Sequence, residues 1–142
     1  MAHHMSDQER RDFLSAGTRT GKLAVTRANG APHVVPIWFV LDGDDVVFTT
    51  GEDTVKGKAI RRDGRVALCV DDGAPPFSFV SIEGTATVSR DPNELLVWAT
   101  RIAARYMGAE QADRYGRRNA VPEEMLVRVT PTKIVARANI SD

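Results

Sequence analysis

Residues 49–65, TTGEDTVKGKAIRRDGR, form a helix-sized polar insert between two apolar runs, Val46-Val47-Phe48 and Val66-Ala67-Leu68-Cys69-Val70. A strand that ends at Thr49, Thr50 and Gly51 and turns into a helix near Thr54 directs unpaired backbone N–H groups and hydroxyls at one spot. Lys56 and Lys58 stand beside it, so phosphate is the natural occupant. Lysines two apart diverge on a helix, so one is expected to face the anion and the other to face elsewhere. A second reading stays open: a surface helix bearing five cations, Lys56, Lys58, Arg61, Arg62 and Arg65, for solubility.

Working outward from the insert, the flanking runs read as strands. Lys22–Arg27 and His33–Leu41 bracket Asn29-Gly30, a dipeptide suited to the positive backbone angles of a tight hairpin. Asp42-Gly43-Asp44 predicts a second turn into Val46–Thr50, which makes a three-stranded antiparallel meander. After the insert helix, Val55–Arg62, the dipeptide Asp63-Gly64 stops the helix and Arg65–Val70 resumes the sheet. Phe77–Val88 is the longest strand candidate, with a bulge or bend expected at Gly84. Met125–Thr130 and Lys133–Ala138, separated at Pro131, complete about seven strands.

Helices occupy the remaining stretches. Ser6 and Glu9 form a capping box for a first helix that ends near Gly17. Asp91, Pro92 and Glu94 are three successive start signals for the clearest helix, closed by Gly108. Leu95, Trp98 or Ala99, Ile102 and Tyr106 recur on one face, which assigns that face, Trp98 included, to packing on the sheet. A short polar helix is expected over Gln111–Arg117. Hairpin-linked strands with few helices describe a small β-barrel decorated by helices.

The chain has 142 residues, enough for one domain and too few for two. The opening MAHHM has the look of an expression-tag scar, which leaves residues 6–142 as the folded unit and His33 as the one native histidine. Lys plus Arg and Asp plus Glu are equal at 19 each, so no overall field favours nucleic acid or an acidic membrane surface. No apolar run approaches a membrane span, and no leader pattern opens the chain. Cys69 is the single cysteine, which fits a reducing, cytoplasmic setting and a core position. With no Cys or His cluster, no metal site is expected.

The chemistry of the insert is not that of a P-loop. Five residues separate Gly51 from Gly57 where that loop has four, and Ala59 stands where it needs a hydroxyl for magnesium. In PHVVPIWFV, Pro36 removes a ladder hydrogen bond in mid-strand, which calls for an edge or an interruption. Such a break can free a backbone group for a planar ligand, or it can be a harmless edge proline. No serine or cysteine has an identifiable histidine base, so no catalytic side chain is assigned. If the chain is an enzyme, its difficult chemistry belongs to a bound cofactor, with the protein supplying position and electrostatics.

TTGEDTVKGKAIRRDGRVALCVDD, followed by PPFSFVSIEGTATV, WATRIAARYMG and LVRVTPTKIVAR, resembles the pyridoxamine 5'-phosphate oxidase-like split β-barrel family. Within it the chain is most similar to the deazaflavin-dependent oxidoreductases common in actinobacteria. Ala59 and Gly64 depart from the Asn and Pro that such proteins often carry. The resemblance implies a mainly β, α+β fold: an antiparallel, Greek-key-like split barrel of six or seven strands with flanking helices, of the FMN-binding type. It implies a homodimer whose cofactor lies between the barrels. Lys56, with Thr49, Thr50 and Thr54, would hold the cofactor phosphate, with Lys58 beside it. Val34, Val35 and Pro36 would lie against the tricyclic ring, and Phe77, Ser78 and Phe79 would approach from the second subunit. The implied cofactor is coenzyme F-420, with FMN as the alternative. The implied activity is hydride transfer to a small conjugated molecule; the alternatives are an FMN-dependent oxidase or reductase and a non-catalytic deazaflavin carrier.

Overall fold

The computed structural model describes residues 1–142. One sheet of eight antiparallel strands carries four flanking α-helices. The strands are β1 (His3–His4), β2 (Gly21–Thr26), β3 (Pro32–Ile37), β4 (Val40–Asp42), β5 (Asp45–Gly51), β6 (Arg65–Asp71), β7 (Phe79–Ser89) and β8 (Glu124–Ala138). The helices are α1 (Asp7–Ser15), α2 (Val55–Arg62), α3 (Pro92–Met107) and α4 (Ala112–Asn119), with a 3-10 turn at Ala109–Gln111 before α4.

The main path of the sheet runs β3-β2-β6-β7-β8-β5-β4, and β1 adds to β8. Its two ends, β3 and β4, are consecutive in the chain and joined only by Trp38 and Phe39. Two residues span at most about 10 Å, so the sheet must curl until its ends nearly meet. No ladder closes β3 onto β4, and the result is a barrel split at that seam. Residues 33–41, expected as one strand, are therefore two. Pro36 sits on the edge strand β3 opposite Lys22, where its missing N–H costs no ladder bond.

The continuous apolar runs follow from burial on both faces. Val46 and Phe48 of β5 enter the main core with Val127 and Val129 of β8, while Val47 and Leu126 face the other way and pack with Leu95 and Trp98 of α3. The main core also takes Leu14 from α1 and Ala59 and Ile60 from α2. Phe39 and Phe48 are fully buried, which contributes about 1.5–3 kcal/mol each.

Local signals are realised where local chemistry decides. The capping box forms, with Glu9 N–H donating to Ser6 Oγ at 3.1 Å and Ser6 N–H donating to Glu9 Oε1 at 3.2 Å. Asp91 caps α3 through Asn93 N–H at 2.9 Å. In the β2–β3 hairpin only Gly30 has a positive φ, +86°, because the loop is a turn over residues 27–30 whose last residue, Gly30, is left-handed.

Other readings are corrected. The last two strands are one, β8, which continues through Pro131. The expected irregularity at Gly84 absorbs the problem, since Glu83 pairs with Lys133 and Gly84 with Pro131, leaving Thr132 as the extra residue. A Cβ at Gly84 would lie 2.7 Å from the Thr130 carbonyl oxygen, so the bulge brings the backbones too close for a side chain. The long strand begins at Phe79 and not Phe77, which has a left-handed φ of 56° in the preceding loop. The short polar helix lies at Ala112–Asn119, one residue in from the expected start and two past the expected end. Cys69 is half-buried and outside the core, because Leu68 and Val70 on either side take the inward positions. His3 and His4 pair with Ala138 and Arg137, which leaves the tag reading untouched.

Candidate functional site

The site begins where β5 leaves the sheet. Thr54 caps α2, its Oγ1 accepting from Gly57 N–H at 3.0 Å and lying 2.9 Å from both the Gly51 carbonyl oxygen and Thr50 Oγ1. Thr50 is buried and anchors this cap from below. Gly57 makes the arrangement possible, since a Cβ there would sit 2.2 Å from the Gly51 carbonyl oxygen. The N–H groups of Val55 and Lys56, the first two helical residues, have no partner within α2, and no acidic side chain occupies its first turn. That end of the helix is therefore electropositive and available to an anion.

The five cations of the insert divide by role. Arg61 donates to the Glu52 carbonyl oxygen at 2.8 Å and Arg62 to that of Thr26, so these two fasten α2 to its neighbours. Arg65 pairs with Asp63 at 2.8 Å and holds that carboxyl well below its usual range, at about 2. Lys56 and Lys58 remain without an acidic partner. Lys56 is half-buried and lines a cavity, while Lys58 is exposed and turned away from it.

This cavity has a volume of about 370 Å³ and lies at the split in the barrel. Pro36, Ile37 and Trp38 form the wall from the end of β3, and Thr49, Thr50 and Gly51 the wall from β5. Thr54 and Lys56 come from α2, with Ile102 of α3, Asn119 of α4 and Glu124 of β8 completing it. Of the residues proposed from sequence, Pro36, Thr49, Thr50, Thr54 and Lys56 are thus brought together. Val34, Val35, Lys58, Phe77, Ser78 and Phe79 are not in the cavity wall of this chain. Val34 is 63% exposed on the edge strand, Val35 packs against the core, and Phe77 is exposed in its loop.

Three contributors had no local signal. Trp38, in the link between the sheet edges, stacks on Tyr106 with centroids 4.9 Å apart and ring planes within 2°. Tyr106 donates to the Arg19 carbonyl oxygen at 2.8 Å and accepts from Phe39 N–H at 3.2 Å, and burial raises its pKa. Arg105 then clasps the carbonyls of Phe39, Leu14 and Gly17 at 2.7, 2.8 and 3.0 Å, which fixes the link from behind. Glu124 is the third: it pairs with Gly51 across the β5–β8 ladder and brings a carboxylate to the cavity. Burial raises its pKa, Lys56 opposes that shift, and Glu123 adds to it.

The model of the family described as pyridoxamine 5'-phosphate oxidase matches residues 6–137, nearly the whole chain. The chain belongs to the pyridoxamine 5'-phosphate oxidase family. Among solved structures, this family member is similar to a conserved hypothetical protein from Mycobacterium tuberculosis. The two are 27% identical over 96% of this chain and 87% of that one, with a TM-score of 0.84. An F420 reductase is 25% identical, covering 87% of this chain and 94% of that one, with a TM-score of 0.68. A FAD-binding protein from Mesorhizobium loti shares the fold at 18% identity and 96% coverage of each chain, with a TM-score of 0.68. No curated protein matches. No helix is long and apolar enough to cross a membrane.

The cavity fits the phosphate end of such a cofactor. It offers free helix N–H groups, an unpaired ammonium and the Thr49 hydroxyl at one end, and the proline, isoleucine and tryptophan of the β3 wall at the other.

Proposed function

We propose that this pyridoxamine 5'-phosphate oxidase family member is an oxidoreductase that uses reduced coenzyme F-420 to pass hydride to a small conjugated, enone- or quinone-like substrate. The observation that carries this reading is the joining, in one cavity, of the unblocked α2 terminus and Lys56 with the apolar wall Pro36-Ile37-Trp38. The similarity to an F420 reductase supports the deazaflavin over FMN. When bound, the coenzyme supplies a ring carbon able to donate hydride.

The chain's own residues hold and orient. Lys56 and the N–H groups of Val55 and Lys56 bind the phosphate, with Thr49 and the Thr50–Thr54 pair bounding it. Pro36 and Trp38 flank the ring, and stacking on Tyr106 keeps the indole from collapsing into the groove.

A cavity of about 370 Å³ is at the small end for such ligands, so the ring needs a further wall. The exposed apolar side chains Val34 and Phe77 fit a homodimer in which Phe77, Ser78 and Phe79 of one subunit cover the cofactor of the other. The deciding experiment titrates purified protein with F-420 and FMN side by side, then follows oxidation of reduced F-420 by a soluble quinone. Tighter F-420 binding with turnover is the expected result. Preferential FMN binding overturns the deazaflavin assignment, and F-420 binding without oxidation by any enone or quinone leaves a carrier.

A further inference from the structure

We infer that Glu124 tunes the charge selectivity of the cavity, penalising a phosphate monoester carrying two charges more than a phosphate diester carrying one. This rests on the cavity being the cofactor site. A carboxylate is an unexpected wall for an anion socket, yet Glu124 opens β8 directly opposite Gly51, the residue from which the cradle leaves the sheet. Because Gly51 has no side chain, the carboxylate leans over it: Glu124 Oε1 is 3.6 Å from where a Gly51 Cβ would be.

No cation neutralises it by direct contact. Only charge at a distance acts on the half-buried carboxylate, from Lys56 on α2 and from its neighbour Glu123. Of the two acids before the cap, Glu52 is paired with Arg90 at 2.5 Å, and Asp53 is exposed and outside the cavity wall. Lys56 and the α2 terminus together supply about one and a half positive charges, and Glu124 removes one. A singly charged phosphate then leaves the cavity near neutrality. A doubly charged one leaves more than a full negative charge in a partly desolvated space.

At the phosphate itself a diester carries one charge, and a monoester such as that of FMN is close to doubly charged at pH 7. Glu124 therefore discriminates between the two kinds of phosphate by charge, independently of any ring. Because Coulomb energy is proportional to ligand charge, removing the carboxylate must help a dianion twice as much, on a logarithmic scale, as a monoanion.

The test uses FMN and its phosphate methyl ester, which share a ring and differ in charge, titrated against wild type, Glu124→Gln and, as a control, Glu123→Gln. Glu124→Gln should bind the ester about 3- to 10-fold tighter and FMN about 10- to 100-fold tighter than wild type does, with smaller changes in Glu123→Gln. Equal gains for both ligands in Glu124→Gln, or no gain for either, overturns the role of Glu124 and leaves the cofactor site standing. Failure of wild type to bind F-420, FMN and the ester alike overturns both. Glu124→Ala removes the same charge and must show the same ratio of gains, so the inference stays exposed to test even if Glu124→Gln does not fold.

Discussion

Replacing Gly57 by alanine sets two effects of known sign against each other. Alanine is favoured over glycine inside a helix by up to about 1 kcal/mol, so propensity alone predicts a more stable protein. The added methyl would start 2.2 Å from the Gly51 carbonyl oxygen, a backbone atom that cannot rotate aside. To reach an ordinary contact the first turn of α2 must move about 1 Å away from β5, and overpacking of this kind costs about 1–3 kcal/mol. The same displacement stretches the cap from Gly57 N–H to Thr54 Oγ1, now 3.0 Å, which is worth about 1 kcal/mol. The net expectation is a loss of about 1–3 kcal/mol, or a melting temperature lower by about 4–10 °C for a domain of this size. Thermal unfolding followed by circular dichroism, at matched protein concentration, reads the first effect. Titration with F-420 or FMN reads the second, because the displaced turn carries both free N–H groups and Lys56. A Gly57→Ala protein as stable as wild type and with unchanged affinity would refute the close-packed cradle.

Lys56→Ala should weaken cofactor binding by about 1–3 kcal/mol, roughly 5- to 150-fold, while Lys58→Ala leaves it unchanged; equal losses in a titration would contradict the division of the two lysines. Arg105→Ala should destabilise the fold by about 2–4 kcal/mol in chemical denaturation. It abandons the carbonyls of Phe39, Leu14 and Gly17 together, and Arg105→Lys, lacking the planar fork, should recover little. An NMR titration of the Asp63 carboxyl should find a midpoint near 2, lowered chiefly by its hydrogen bonds from Arg65. The sign follows: a depressed folded-state value means that the stabilisation from this pair is complete above about pH 4 and is lost as pH falls through about 2. A midpoint at the ordinary aspartate value would show that the pair does not persist in solution.

The parts of the fold that were legible in sequence are those set by neighbours in the chain. Ser6 with Glu9, Asp91 with Pro92, and Gly30 in its hairpin each act within a few residues, so their structural outcome needs no tertiary context. The α2 insert was legible for the same reason: a strand end, a capping threonine and two lysines are adjacent. What escaped depends on who pairs with whom. The break at Trp38-Phe39 exists because β3 and β4 lie at opposite ends of one sheet. Pro131 fails to interrupt β8 because a bulge against Gly84 accommodates it. Cys69 lies outside the core because its neighbours take the inward positions. Arg105 and Glu124 act on residues more than 60 positions away, where local composition is silent. The same limit applies to Val34, Val35, Phe77, Ser78 and Phe79, which belong to no cavity wall of the single chain.

The pairing of β5 with β8 matches Thr50 to Met125 and Gly51 to Glu124. Every group of β5 and α2 proposed to cradle the anion is thus translated some 70 residues before the strand that backs it. A nascent chain halted at Arg118 would already hold Lys56 and all three cradle threonines, yet would lack the ladder that keeps them in place. Capture of the proposed ligand therefore comes at the close of synthesis, and an amino-terminal fragment, however long short of β8, is expected to be inert.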